Sequence, residues 1–155
     1  MVTNYPGRLS PRMPHFDYRT PGAYFVTACT HESDCSFGYV QDGAVHLDEL
    51  GKIARECWEE IPHHCPGVVA AEFVVMPNHI HGILWLPARG NSLPLTAIVG
   101  LYKAAVTRRA RARGIAGATP IWQRSFHDRV IRDAAALAAI RDYIANNPLH
   151  WELDH

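Results

Sequence analysis

Hydrophobic and polar positions change period several times along this chain, and each change marks an element. Residues 23–30, AYFVTACT, alternate and are rich in Tyr, Phe, Val and Thr, which predicts a strand. Residues 38–47, GYVQDGAVHL, read as a hairpin turning at Asp42-Gly43. From Asp48 the spacing becomes helical through Leu50, Ile53, Ala54, Cys57, Trp58 and Ile61. Pro62 is expected to end that helix, with residues 63–67 as the turn after it. Residues 68–78 and 79–87 are two β-rich runs broken at Pro77-Asn78, and 88–92 form a loop. Leu95, Ile98, Val99, Tyr102 and Val106 mark a second helix running into the basic stretch TRRARARG. After a Gly-rich link at 114–120, residues 121–132 read as an extended segment or last strand. Asp133 is placed to cap a third helix with Leu137, Ile140 and Ile144 as its buried stripe, ended by Pro148.

Without the hairpin and the final helix, this order is β-α-β-β-α-β. It predicts an α+β, ferredoxin-like antiparallel sheet with helices on one face, to which a hairpin and a C-terminal helix are added. Residues 1–20, rich in Pro and Arg, read as an N-terminal arm, and residues 21–155 as one domain without internal repeats. At 155 residues the chain is long enough for a full hydrophobic core, and 48% hydrophobic with 19% charged residues fits a soluble globular protein. No apolar run approaches the ~20 residues of a spanning helix, and the first residues lack the apolar stretch of a secretory signal. Cys29, Cys35, Cys57 and Cys65 form no C-x-x-C pair and read as thiols in a reducing cytosol.

The formal net charge is zero, but the charge is divided. Residues 32–60 carry a net −6 and residues 101–132 a net +7. A polarised molecule of this kind can present a basic face to a polyanion, and two solvated helix faces of opposite sign would look the same.

Two groups of residues carry candidate chemistry. In a strand, His79 and His81 face the same side, so both imidazoles can reach one ion while Ile80 points to the core. Imidazole suits Zn, Mn, Ni or Cu, and an added oxygen ligand shifts the preference toward Mn²⁺ or Mg²⁺. The plainer alternative is a pair of histidines on the exposed face of a half-buried strand. Tyr143 and Asn147 are four residues apart on the last helix and share a face. A phenol and an amide oxygen beside one metal suit phosphoryl transfer, although a Tyr in this pattern also serves as core.

FVVMPNHIHGILWL, WQRSFHDRVIRD and IRDYIANNPLHW, in this order and spacing, resemble the REP-associated tyrosine transposases, relatives of the single-tyrosine HUH transposases of insertion sequences. HFDYRTPGAYFVTACTHESDCSFG, LGKIARECWEEIP and LTAIVGLYKAAVTRRA are similar too, so the resemblance spans about Arg12 to Trp151. It implies a metal-dependent endonuclease and strand transferase, active in DNA transposition and recombination on single-stranded or hairpin DNA such as repetitive palindromes. It places the HUH histidines at His79 and His81 and the nucleophile at Tyr143, with a 5′-phosphotyrosine intermediate and Mg²⁺ or Mn²⁺ as cofactor. Asn147 takes the place of the third ligand, a Gln in the insertion-sequence enzymes, with Asp128 and water as other oxygen donors. Lys103, Arg108, Arg109, Arg111, Arg113, Arg124, Arg129 and Arg132 become candidate DNA contacts, and Tyr102, Trp122 and Phe126 candidate stacking platforms or core. His127-Asp128 matches a recurring pair in that family, with no role derivable from sequence. The resemblance further implies a cytoplasmic bacterial protein, at the nucleoid when DNA-bound, and a monomer or homodimer. A domesticated binder of palindromic repeats and a metallo-hydrolase that needs no Tyr143 are the competing readings.

Overall fold

A computed structural model describes residues 18–88 and 93–154. The expected arm therefore lies almost wholly outside the described residues, as does most of the 88–92 loop. Four strands form one antiparallel sheet: β1 (Gly22–Cys29), β4 (Val69–Met76), β5 (His79–Leu86) and β6 (His127–Ile131), in the order β4-β5-β1-β6. This is the ferredoxin-like order. The hairpin of β2 (Gly38–Gln41) and β3 (Ala44–Leu47) stands apart as a two-stranded sheet. Asp42 and Gly43 both take positive φ, 55° and 73°, as a two-residue hairpin turn of this hand requires.

One face of the sheet packs on helices α1 (Glu49–Glu59) and α3 (Leu95–Ala112), and this side holds the larger core. Tyr24, Val26, Ile80 and Leu84 meet Ile53, Trp58, Ile98 and Tyr102 there. At Gly82 the indole of Trp58 lies directly on the β5 backbone, where a Cβ would collide with Cζ2 and Cη2 of the ring. Trp58 in turn stacks on Phe73 with centroids 4.5 Å apart. The opposite face packs on α4 (Ala134–Asp154) through Phe25, Ile83, Ile140 and Ile144. Asp133 Oδ1 accepts from Ala136 N at 2.8 Å, so the expected cap forms.

Both prolines expected to end helices do something else. Pro62 sits in the first turn of the short helix α2 (Ile61–His64), where a missing N–H leaves no bond unmade, and α1 ends before it at Glu59. Pro148 lies inside α4, which continues to Asp154. The turns beyond it are held from outside. Glu152 accepts hydrogen bonds from Asp42 N and Gly43 N, each at 2.8 Å, tying the helix end to the hairpin turn.

The charge division has a structural reading as well. The acids of α1 and the bases of α3 are neighbours rather than separate faces. Arg109 forks onto Glu60 at 2.6 and 2.9 Å and reaches Glu56 at 3.5 Å; Arg113 reaches Glu56 at 3.5 Å. No helix of the described residues is long and apolar enough to cross a membrane.

Candidate active site

His79 and His81 project from β5 toward α4, as strand alternation requires, while Ile80 enters the main core. Both imidazoles are buried, His81 completely. Their Nε2 atoms approach to 3.1 Å. The outer nitrogens are held by protein: His79 Nδ1 donates to Asn78 Oδ1 at 2.7 Å, and His81 Nδ1 is 2.7 Å from Thr27 Oγ1. Asn78 is fixed by the tight Pro77-Asn78 turn, where its carbonyl accepts from Thr30 N and Thr30 Oγ1. Thr27 lies directly opposite His81 in the β1–β5 register.

Burial pushes the His79 imidazole down to about 4, against the partial support of Asn147. Burial first, and then its neighbour His79, hold His81 well below the ordinary histidine range. Both rings are therefore neutral at pH 7. With two neutral imidazoles, one chain of donors satisfies every nitrogen. Thr27 O–H donates to His81 Nδ1, His81 Nε2–H to His79 Nε2, and His79 Nδ1–H to Asn78. Moving the His81 proton to Nδ1 and turning the Thr27 hydroxyl to accept it leaves both Nε2 lone pairs facing one point. That is the tautomer a metal ligand needs.

The last helix completes the site. Tyr143 stands edge-on to His81, centroids 5.3 Å apart, and edge-on to Phe25, which stacks on His81 at 5.2 Å. Burial raises the proton affinity of its hydroxyl, and nearby Asn147 lowers it. Asn147 is fully buried and faces both His79 and Tyr143. Yet neither of its amide atoms, nor the buried Tyr143 hydroxyl, makes a well-formed hydrogen bond among the described residues. Buried polar atoms are rarely left so. Two neutral, converging imidazoles beside an orphaned amide oxygen and phenol fit a divalent metal. Among the described residues no cluster of three His, Cys, Asp or Glu forms, so the third protein ligand would be the amide.

Asp128, expected as another oxygen donor, is on the wrong side. It pairs with Val26, whose side chain lies in the α1–α3 core, so its carboxylate is across the sheet from the histidines. Its neighbour His127 pairs with Thr27 and Arg129 with Phe25, which puts both on the histidine face. Arg124, Arg129 and Arg132 are exposed. The α3 bases lie on the opposite side of the sheet from His79 and His81. Arg109 and Arg113 are in ion pairs, Lys103 donates to the carbonyls of Gln123 and Ser125, and Arg111 to that of Gly117. Lys103, Thr107, Arg108 and Arg111 line a shallow groove there. Tyr102, Trp122 and Phe126 are buried core. Sequence reasoning passed over Thr27, whose role depends on register, and Asn78, whose place beside His79 was a usable signal.

No protein-family model matches the chain. It is 37% identical to an uncharacterized protein of Haemophilus influenzae, covering 95% of this chain and 91% of that one. A second protein of that organism, provisionally named a REP-associated tyrosine transposase, is 27% identical over 86% of this chain and 73% of its own length. Among solved structures, that of a REP-associated tyrosine transposase bound to a REP hairpin superposes with a TM-score of 0.63. It is 21% identical and covers 90% of this chain and 72% of that one. The chain thus has the fold of a REP-associated tyrosine transposase, and a protein provisionally named as one is among its sequence relatives.

Proposed function

We propose that this chain is a metal-dependent endonuclease and strand transferase for single-stranded or hairpin DNA, with Tyr143 as nucleophile. The observation that carries the reading is the 3.1 Å approach of His79 and His81 Nε2 beside the buried Tyr143 hydroxyl, which makes no well-formed hydrogen bond among the described residues. A divalent ion such as Mg²⁺ or Mn²⁺, held by His79, His81 and Asn147, would polarise a DNA phosphate and offset its charge during displacement. Thr27 and Asn78 orient the two imidazoles. Phe25 and His81 hold the tyrosine ring between them.

In the first step the Tyr143 oxygen bonds to phosphorus and the bond to the 3′ oxygen breaks. The phenol proton leaves to solvent, and the 3′ oxygen takes one up as a free hydroxyl. In the return step that hydroxyl, or one on another strand, attacks the 5′-phosphotyrosine and releases Tyr143. Each phosphodiester is exchanged for another ester, so no nucleotide cofactor is consumed. Burial raises the proton affinity of Tyr143, so it attacks as a phenol that must lose its proton. The solved relative's REP hairpin supports hairpin DNA as the substrate class.

The test is incubation with Mn²⁺ and labelled hairpin oligonucleotides copied from the DNA flanking the gene. A denaturant-resistant protein–DNA adduct is expected. Binding without an adduct at any metal concentration overturns the nuclease reading.

A further inference from the structure

The basic run on α3 draws attention in the sequence, yet it lies behind the sheet from the histidine pair. On the histidine face of the sheet, β6 carries His127 and the cation Arg129. His127 pairs with Thr27, which holds His81, and Arg129 pairs with Phe25, which touches both His81 and Tyr143. Directly opposed residues of an antiparallel pair share a face, so both side chains stand on the face that carries the chemistry. β6 is the edge strand, two strand spacings from β5, which places this row about 10 Å from the histidines.

Three further features make the row suited to a polyanion. His127 and Arg129 are exposed, because α4 lies mainly along β4, where Arg141 grips Glu72 at 2.6 Å. The one carboxylate of β6, Asp128, is turned to the other face and buried. Most α3 cations are already engaged by Glu56, Glu60 or backbone carbonyls, whereas Arg129 has an exposed guanidinium beside the site.

We infer that Arg129, with His127 beside it, forms a phosphate-binding strip along which the substrate strand leaves the histidine–tyrosine site across the β6 edge. This rests on the proposed DNA substrate. A strand with its scissile phosphate at His79 and His81 that runs across the sheet carries its neighbouring phosphates over these two side chains. The strip thus sets the direction of the strand, and α3 does not contact those phosphates.

The test uses the full chain and the same hairpin oligonucleotides, in chelator so that nothing is cut, with neutral methylphosphonates placed one position at a time. Arg129→Gln should weaken binding about ten-fold and flatten the log–log salt dependence by about 0.7. At one position beside the scissile phosphate, the methylphosphonate should cost the native chain about as much and cost Arg129→Gln nothing more. Arg129→Lys should recover part of the affinity. The inference fails if Arg129→Gln binds like the native chain, or loses as much as the native chain at every neutral position. It also fails if Arg108→Gln with Arg111→Gln reproduces the position-specific loss. A native chain that shows this pattern but forms no adduct in Mn²⁺ overturns the nuclease reading and keeps the strip. One that binds no hairpin oligonucleotide overturns both.

Discussion

Tyr143 meets His81 edge-on at 5.3 Å with its hydroxyl buried and without a well-formed hydrogen bond, so the group that would react contributes little to holding the helix in place. Tyr143→Phe removes one oxygen and keeps the ring contacts with His81 and Phe25. The covalent adduct should vanish on denaturing gels while DNA affinity stays within about two-fold. Stability should hold or rise by up to about 1 kcal/mol, because an unsatisfied hydroxyl is removed. An adduct of normal yield would move the nucleophile elsewhere.

The histidine pair gives a pH signature in the metal-free protein. From an unfolded value of ~6.5, burial lowers His79 to about 4, and burial and then the neighbouring His79 hold His81 well below that unfolded value. Between these limits the unfolded chain binds more protons than the folded one, so stability falls as pH drops and is level above the unfolded value. Urea unfolding in chelator should show this slope, and His79→Gln should flatten it. Mn²⁺ should raise the melting temperature of the native chain and leave that of His81→Ala unmoved. An acid slope unchanged by His79→Gln would place the titrating groups elsewhere.

If His81 binds an ion through Nε2, the Thr27 hydroxyl must switch from donor to acceptor, and it would then support the ion without touching it. Thr27→Val keeps the shape and should weaken Mn²⁺ binding roughly ten-fold or more by calorimetry. Thr27→Ser should restore most of it. Native-like affinity in the valine variant would show that His81 needs no help in choosing its tautomer.

Asn147 separates ligand from structural filler. If its amide oxygen binds the ion, Asn147→Ala raises the Mn²⁺ needed for cleavage and leaves the melting temperature of the metal-free protein nearly unchanged. Asn147→Asp should tighten Mg²⁺ binding, since a carboxylate is the harder ligand at the same reach. A lowered melting temperature with an unshifted metal curve would remove Asn147 from the site.

The parts of this site that depend on local spacing were legible in the chain. Two histidines at i and i+2 in an apolar run must share a strand face, and Tyr143 and Asn147 at i and i+4 must share a helix face. The parts that depend on which strand pairs with which were not. Asp128 looked available because it is acidic and near the basic segment. Its pairing with Val26 turns it into the core, and one residue of register decides this. The ion pairs between α1 and α3 escaped for the same reason, since charge blocks in a sequence do not say which helices are neighbours. Pro148 misled because its local preference is overruled by the grip of Glu152 on the hairpin turn.

At Gly82 the Trp58 indole rests on bare backbone, one residue after His81 on the same strand. The hydrophobic interior and the histidine pair are thus separated by a single thickness of main chain, and they share it as a common wall. Any swelling of the interior, through heat or a bulkier neighbour, leans on that wall and changes the imidazole spacing before the fold gives way. The proposed cleavage should therefore fade at temperatures where the protein is still folded, with the loss arriving from the side of the sheet that faces away from the histidines.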